Sequence, residues 1–110
     1  MNPDTPQSTA DIPIACNLPE AARAARGEET APIFQEAQQT VELADGYAYQ
    51  FAGSRATATR LLEFILTERE CCPFFRFELV FVPDQSTIWL RLGGGPGVKE
   101  FLAGSLGMAP

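Results

Sequence analysis

Residues 40–51, TVELADGYAYQF, decide the fold class. Val41 and Leu43 alternate with Thr40 and Glu42, and beyond Asp45-Gly46 the residues Tyr47, Tyr49 and Phe51 alternate with Ala48 and Gln50. A period of two puts successive side chains on opposite faces of a strand. Asp-Gly between two such runs predicts a β-hairpin with a tight primed turn, positive in φ at both Asp45 and Gly46. Gly53 ends the second strand, and Ser54 is placed to cap the helix that follows.

Downstream, Ala58, Leu61, Leu62, Ile65 and Leu66 recur at helical spacing and predict an amphipathic helix with its core stripe on those positions. Pro73 disfavours helical geometry at Cys72, so this helix should end near Glu70 or Cys71. Phe75, Phe77, Leu79 and Phe81 then alternate with polar and smaller residues, Pro83-Asp84-Gln85-Ser86 reads as a turn, and Ile88, Leu90 and Leu92 alternate again. That is a second hairpin. The run Gly93-Gly94-Gly95-Pro96-Gly97 leads into Val98, Phe101 and Leu102, the apolar face of a short helix started by Pro96. The fold class is α+β: a four-stranded antiparallel sheet in ββαββα order, helices on one face, plus an N-terminal helical extension. Trp89, with Val80, Val82 and Phe74, marks the other sheet face, and a second subunit or the N-terminal segment is expected to cover it.

Upstream, residues 1–11 are polar and aperiodic, which predicts a disordered tail ahead of a single domain over 12–110. Pro19–Arg26 is Ala-rich and reads as a helix stopped by Gly27, with a second helical piece from Thr30 to Glu36. The core proper is expected from Gln38 to Leu102.

The 110 residues are 45% hydrophobic, which suits one globular domain. Eight Lys plus Arg against 14 Asp plus Glu leave a net charge of −6, and the basic residues form no run. Nucleic acid and acidic membrane surfaces are therefore not expected partners. No apolar run is long enough to span a bilayer, and no basic head or apolar core of a secretory signal is visible, so a cytoplasmic location is expected. The chain contains no His. That excludes Ser-His-Asp and Cys-His catalysis and every His-ligated metal site.

The residues that could carry chemistry are three cysteines, Cys16, Cys71 and Cys72. In a reducing compartment a structural disulfide is not expected, and an odd count cannot be fully paired. Each alone is ordinarily a small core residue. The adjacent pair is less easily dismissed: about 100° apart on a helix, Cys72 falls on the core stripe and Cys71 to its side. Cys16 completes a trigonal set only if the N-terminal stretch folds back over this helix end. Three thiolates suit soft ions such as Hg(II) or As(III), whereas zinc prefers four ligands in spacings absent here. No C-x-x-C exists to support thioredoxin-like chemistry. Arg69 projects onto the apolar stripe, where it either snorkels to water or holds an anionic ligand beside the thiols. Glu68 and Glu70 are expected in solvent, Glu68 with a further option as an oxygen ligand. The glycine run resembles an anion-binding loop but lacks the Lys and Ser/Thr of a phosphate loop, and it reads as a turn.

The string ERECCPFFRFELVF (Glu68 to Phe81), with IWLRLGGGPGVKEFL (Ile88 to Leu102), ACNL (Ala15 to Leu18) and DGYAYQF (Asp45 to Phe51), resembles a family of small bacterial domains of no established biochemical function. Such domains occur alone or beside mercury-resistance-type (MerR-like) regulators and other heavy-metal genes. The resemblance spans residues from about 15 to 104, and Glu-Arg-x-Cys-Cys-Pro-Phe is its most specific part. It implies that Cys16, Glu68, Arg69, Cys71 and Cys72 are the positions the family pattern holds, in a metal context. No attached DNA-binding segment is visible, so a regulator's function on DNA is not carried over.

The leading expectation is a cytoplasmic thiol-bearing binding domain for a soft metal or metalloid ion, with Cys16, Cys71 and Cys72 as ligands and Arg69 and Glu68 supporting the bound ligand. The alternative is a protein-interaction or dimerisation domain, a homodimer, with structural cysteines. An enzyme with a cysteine nucleophile ranks last because it would lack a His base.

Overall fold

A computed structural model describes residues 20–105. The elements are α1 (Glu20–Gln35), β1 (Gln39–Leu43), β2 (Gly46–Ala52), α2 (Arg55–Cys71), β3 (Arg76–Phe81), β4 (Thr87–Gly93) and α3 (Val98–Ser105). The α+β class and the four-stranded antiparallel sheet are as expected, but the order is αββαββα, with the N-terminal helix a full element, rather than ββαββα plus an N-terminal helical extension. Residues 1–11, expected to be a disordered tail, lie outside the described residues.

Gly27 does not stop α1, and Pro32 sits inside it. An internal proline removes one i→i−4 hydrogen bond. The helix persists because its last turns are anchored by packing. The Phe34 ring lies 4.9 Å from Tyr49 and 5.3 Å from Phe64, with Ile33 against the same core. Such burial outweighs local propensity.

The sheet order is β1-β2-β4-β3. Tyr47 and Phe77 flank Leu92, and Tyr49 and Leu79 flank Leu90, so these residues share one face. The buried strand residues Tyr49, Phe51, Ile88, Leu90 and Leu92 all belong to β2 and β4, because central strands have neighbours on both sides. Burial, with Tyr47 beside it, pushes the Tyr49 hydroxyl well above its ordinary pKa. Helices α1, α2 and α3 all contribute to the apolar cluster on this face.

The first hairpin forms where expected but by different means. Leu43 pairs with Gly46, so Ala44 and Asp45 are the loop, and neither Asp45 nor Gly46 takes positive φ. Gly46 matters for clearance instead: a Cβ there would collide with the Leu92 carbonyl oxygen of β4. Positive φ appears in the second hairpin, at Asp84 (76°) and Gln85 (64°), where Asp84 Oδ1 accepts a hydrogen bond from the Ser86 N–H at 2.9 Å. Asp tolerates this region because its side chain can satisfy nearby backbone.

Ser54 caps α2 as expected, its Oγ accepting from the Thr57 N–H at 3.1 Å. The buried stripe is rotated from the expected one, however. It consists of Thr57, Leu61, Phe64 and Glu68, while Leu62 and Leu66 are exposed. Apolar residues at 61, 62, 64, 65 and 66 permit more than one stripe, and Phe64, wedged edge-on against Phe34 and Phe77, settles which is used. Helix α3 begins at Val98, not at Pro96. Phe74, expected on the outer sheet face, is instead in the core, its ring 4.6 Å from Phe75 and 5.0 Å from Phe101.

The outer face combines Val41, Ala48, Trp89 and Val80 with a charged corner. There Arg76 Nη2 donates to Asp45 Oδ2 at 2.6 Å and its Nε to Glu78 Oε1 at 3.3 Å. The Asp45 hydrogen bond is the main reason the Arg76 pKa rises.

A candidate thiol site at the end of the second helix

Cys71 is the last residue of α2 and Cys72 is its C-cap, already out of helical geometry at φ −129° and ψ 74°. Pro73 imposes that departure, since its ring crowds the preceding residue out of the helical region. The Cys72 N–H still donates to the Glu68 carbonyl at 2.6 Å, and the Phe75 N–H donates to the Cys72 carbonyl at 3.3 Å. Cys72 is buried in the core cluster, and Cys71 is half-buried beside it. One thiol therefore faces inward and one lies at the edge, as the helical projection expects.

The charged residues of the expected site exchange places. Arg69, projected onto the apolar stripe, is exposed. Glu68, expected in solvent, is buried, and its Oε1 accepts from Arg26 Nε at 2.9 Å. The same guanidinium donates through Nη1 to Glu29 Oε2 at 3.1 Å and stands 5.8 Å from the centre of the Phe64 ring. A carboxylate removed from water needs a compensating cation or hydrogen bonds, and Arg26 supplies both. Arg26 was invisible as a site residue: in PEAARAAR it reads as one solvated charge among several, and its partner lies 42 positions away.

A second Arg–Glu contact ties the residue just after α1 to α2, Arg60 Nη2 to Glu36 Oε1 at 2.6 Å. Residue 26 thus faces 68, and 36 faces 60, so α1 and α2 run antiparallel. The cleft between them, about 410 Å³, is lined by Arg26, Glu29, Glu36, Arg60 and Glu63 above Phe64. The start of α1 consequently lies at the cysteine-bearing end of α2.

Cys16 lies outside the described residues. Among the described residues, no group of three or more Cys, Asp and Glu side chains could hold a metal ion. No described helix is long and apolar enough to cross a membrane. No family model matches the chain, and no curated protein or solved structure does.

Proposed function

We propose that this protein is a thiol-bearing binding domain for a soft metal or metalloid ion of the Hg(II) or As(III) class, held by Cys16, Cys71 and Cys72. The observation that carries the reading is the antiparallel pairing of α1 with α2. From Arg26 back to Glu20 is about 9 Å of helix, and from Glu68 on to Cys72 is about 6 Å, at 1.5 Å per residue. The first residue of α1 therefore lies roughly level with the Cys71-Cys72 end. Cys16 precedes Glu20 by four residues, a stretch that spans at most about 14 Å. A reach of that length is compatible with a site that joins Cys16 to the other two thiols. Soft thiolate chemistry, the tolerance of such ions for three ligands, and the resemblance carried by Glu68 to Phe74 point the same way. Glu68 acts on this site through position: with Arg26 it ties α1 across the last turn of α2. Arg69, being exposed, would meet a ligand only from the solvent side.

Titrating the reduced protein with Hg(II) and with As(III), beside Cys16→Ser and Cys72→Ser variants, tests this. Wild type should bind with proton release and a thiolate-to-metal absorption band, and Cys16→Ser should bind more weakly with a diminished band. Equal affinity and equal spectra for wild type and Cys16→Ser would end the three-thiolate reading.

A further inference from the structure

Edge strands expose backbone N–H and C=O groups that can pair with another strand, and proteins usually guard them with charge, proline or a bulge. Here β1 and β3 are the edges. Strand β1, QTVEL, is guarded: Glu42 is paired with Lys99 of α3 at 3.2 Å, and polar Gln39 is exposed. Strand β3, RFELVF, has no comparable protection over its second half, where Leu79, Val80 and Phe81 are consecutive.

The exposed large hydrophobic side chains among the described residues are Leu62, Leu66, Val80 and Phe81, all from β3 and the helix packed on it. Phe81 is 62% exposed. Arg60, Glu63 and Thr67 turn toward α1. At 100° per residue, Leu62 therefore falls toward the flank of α2 facing away from α1, and Leu66 lies further round, toward solvent. Since α1 reaches over β2 through Phe34 and Tyr49, while α2 meets β3 through Phe64 and Phe77, that flank is the β3 side. An unguarded strand edge and an apolar helix flank thus occur on one side of the molecule.

We infer that β3 pairs antiparallel with β3 of a second copy of this chain, about a two-fold axis at Leu79, making an eight-stranded sheet with Leu62 above its seam. Residues opposite each other in an antiparallel pair share a face, which restricts the register. Centring on Leu79 sets Phe77 against Phe81 and Leu79 against itself on the helix-covered face, and Glu78 against Val80 on the other. No like charges are opposed. Centring on Glu78 would set Glu78 against its own copy, and directly opposed like charges destabilise a sheet. Centring on Phe77 would run Phe81 out of the pairing and against Pro73. Centring on Val80 would pair only Leu79 to Phe81 within the strand, so the Leu79 register is the longest self-complementary one, and self-complementarity is what a two-fold interface requires. This inference is independent of the thiol proposal.

Sedimentation of the full chain under reducing conditions tests it, since reduction removes any disulfide-linked dimer. The expected mass is twice the 12.0 kDa of one chain. With −6 on each copy, association should tighten as salt rises toward about 0.5 M, because screening reduces the mutual repulsion. Phe81→Lys and Leu62→Glu both alter exposed positions. Each should return the mass to one chain with an unchanged circular-dichroism spectrum and speed hydrogen exchange at the β3 amides. A monomer at every concentration overturns the proposal, as does a dimer that Phe81→Lys leaves intact. A monomer whose β3 amides remain protected also overturns it, since the edge would then be covered by the chain itself.

Discussion

The two ends of the α1–α2 pair use the same chemistry in different surroundings. At one end Arg60 meets Glu36 at 2.6 Å, with both side chains nearly half exposed. At the other Arg26 meets Glu68 at 2.9 Å, with the glutamate side chain 2% exposed. Distance alone would rank the first pair as the stronger. Burial reverses the ranking. The exposed pair is attenuated by water and opposed by side-chain entropy, so it contributes at most about 1 kcal/mol. The buried pair has surrendered its hydration, so removing either partner strands the other charge at a cost of roughly 3–5 kcal/mol. The costly pair lies one turn from the cysteines, and this is where the helices are locked together.

The largest expected effect is therefore Glu68→Ala. It removes the carboxylate that Arg26 faces and leaves a void beside Phe64. The loss should be about 3 kcal/mol, a fall in melting temperature on the order of 10 °C or more for a domain of this size. A double-mutant cycle with Arg26→Ala should return a coupling well above 1 kcal/mol. Arg26→Met combined with Glu68→Leu should recover much of the loss, because burying neither charge avoids the desolvation cost. A Glu68→Ala protein as stable as wild type would erase the distinction between the two ends.

At the exposed end, backbone capping should matter more than the ion pair. Ser54→Ala removes the oxygen that accepts the Thr57 N–H, and should cost about 1 kcal/mol in denaturant unfolding with an unchanged slope. Glu36→Ala should cost less still, under about 1 kcal/mol, and the difference from wild type should shrink further as salt screens the pair. Glu36→Ala costing as much as Glu68→Ala would show that burial does not govern these contacts.

Much of the frame was legible because its signals are local. Alternation at 40–43 and 47–51, and again at 75–81 and 88–92, marked the strands. Ser54 and Pro73 marked the ends of α2, since capping and the steric effect of proline act within a few residues. Reading failed where local preference competed with packing. Gly27 and Pro32 are weak helix residues, yet α1 passes through both because Ile33 and Phe34 have a core to enter. The Asp45-Gly46 signal located the first hairpin correctly and misassigned its mechanism, because the demand on Gly46 comes from β4, a strand distant in sequence.

The candidate site divides along the same line. Sequence by itself determined which atoms are available: three thiols, no imidazole, and an adjacent cysteine pair at a helix end broken by Pro73, with one sulfur inward and one at the rim. Only the tertiary structure decided the role of the charges beside them. Glu68 and Arg69 are neighbours in the chain and about 100° apart on the helix, so a small rotation of the buried stripe exchanges which one meets the core. The ring of Phe64, held between Phe34 and Phe77, set that rotation. It placed Glu68 inside, where it requires a cation, and α1 delivered Arg26 from 42 positions away. Helical periodicity is a local property of the chain, whereas the choice of buried face belongs to whatever packs against it.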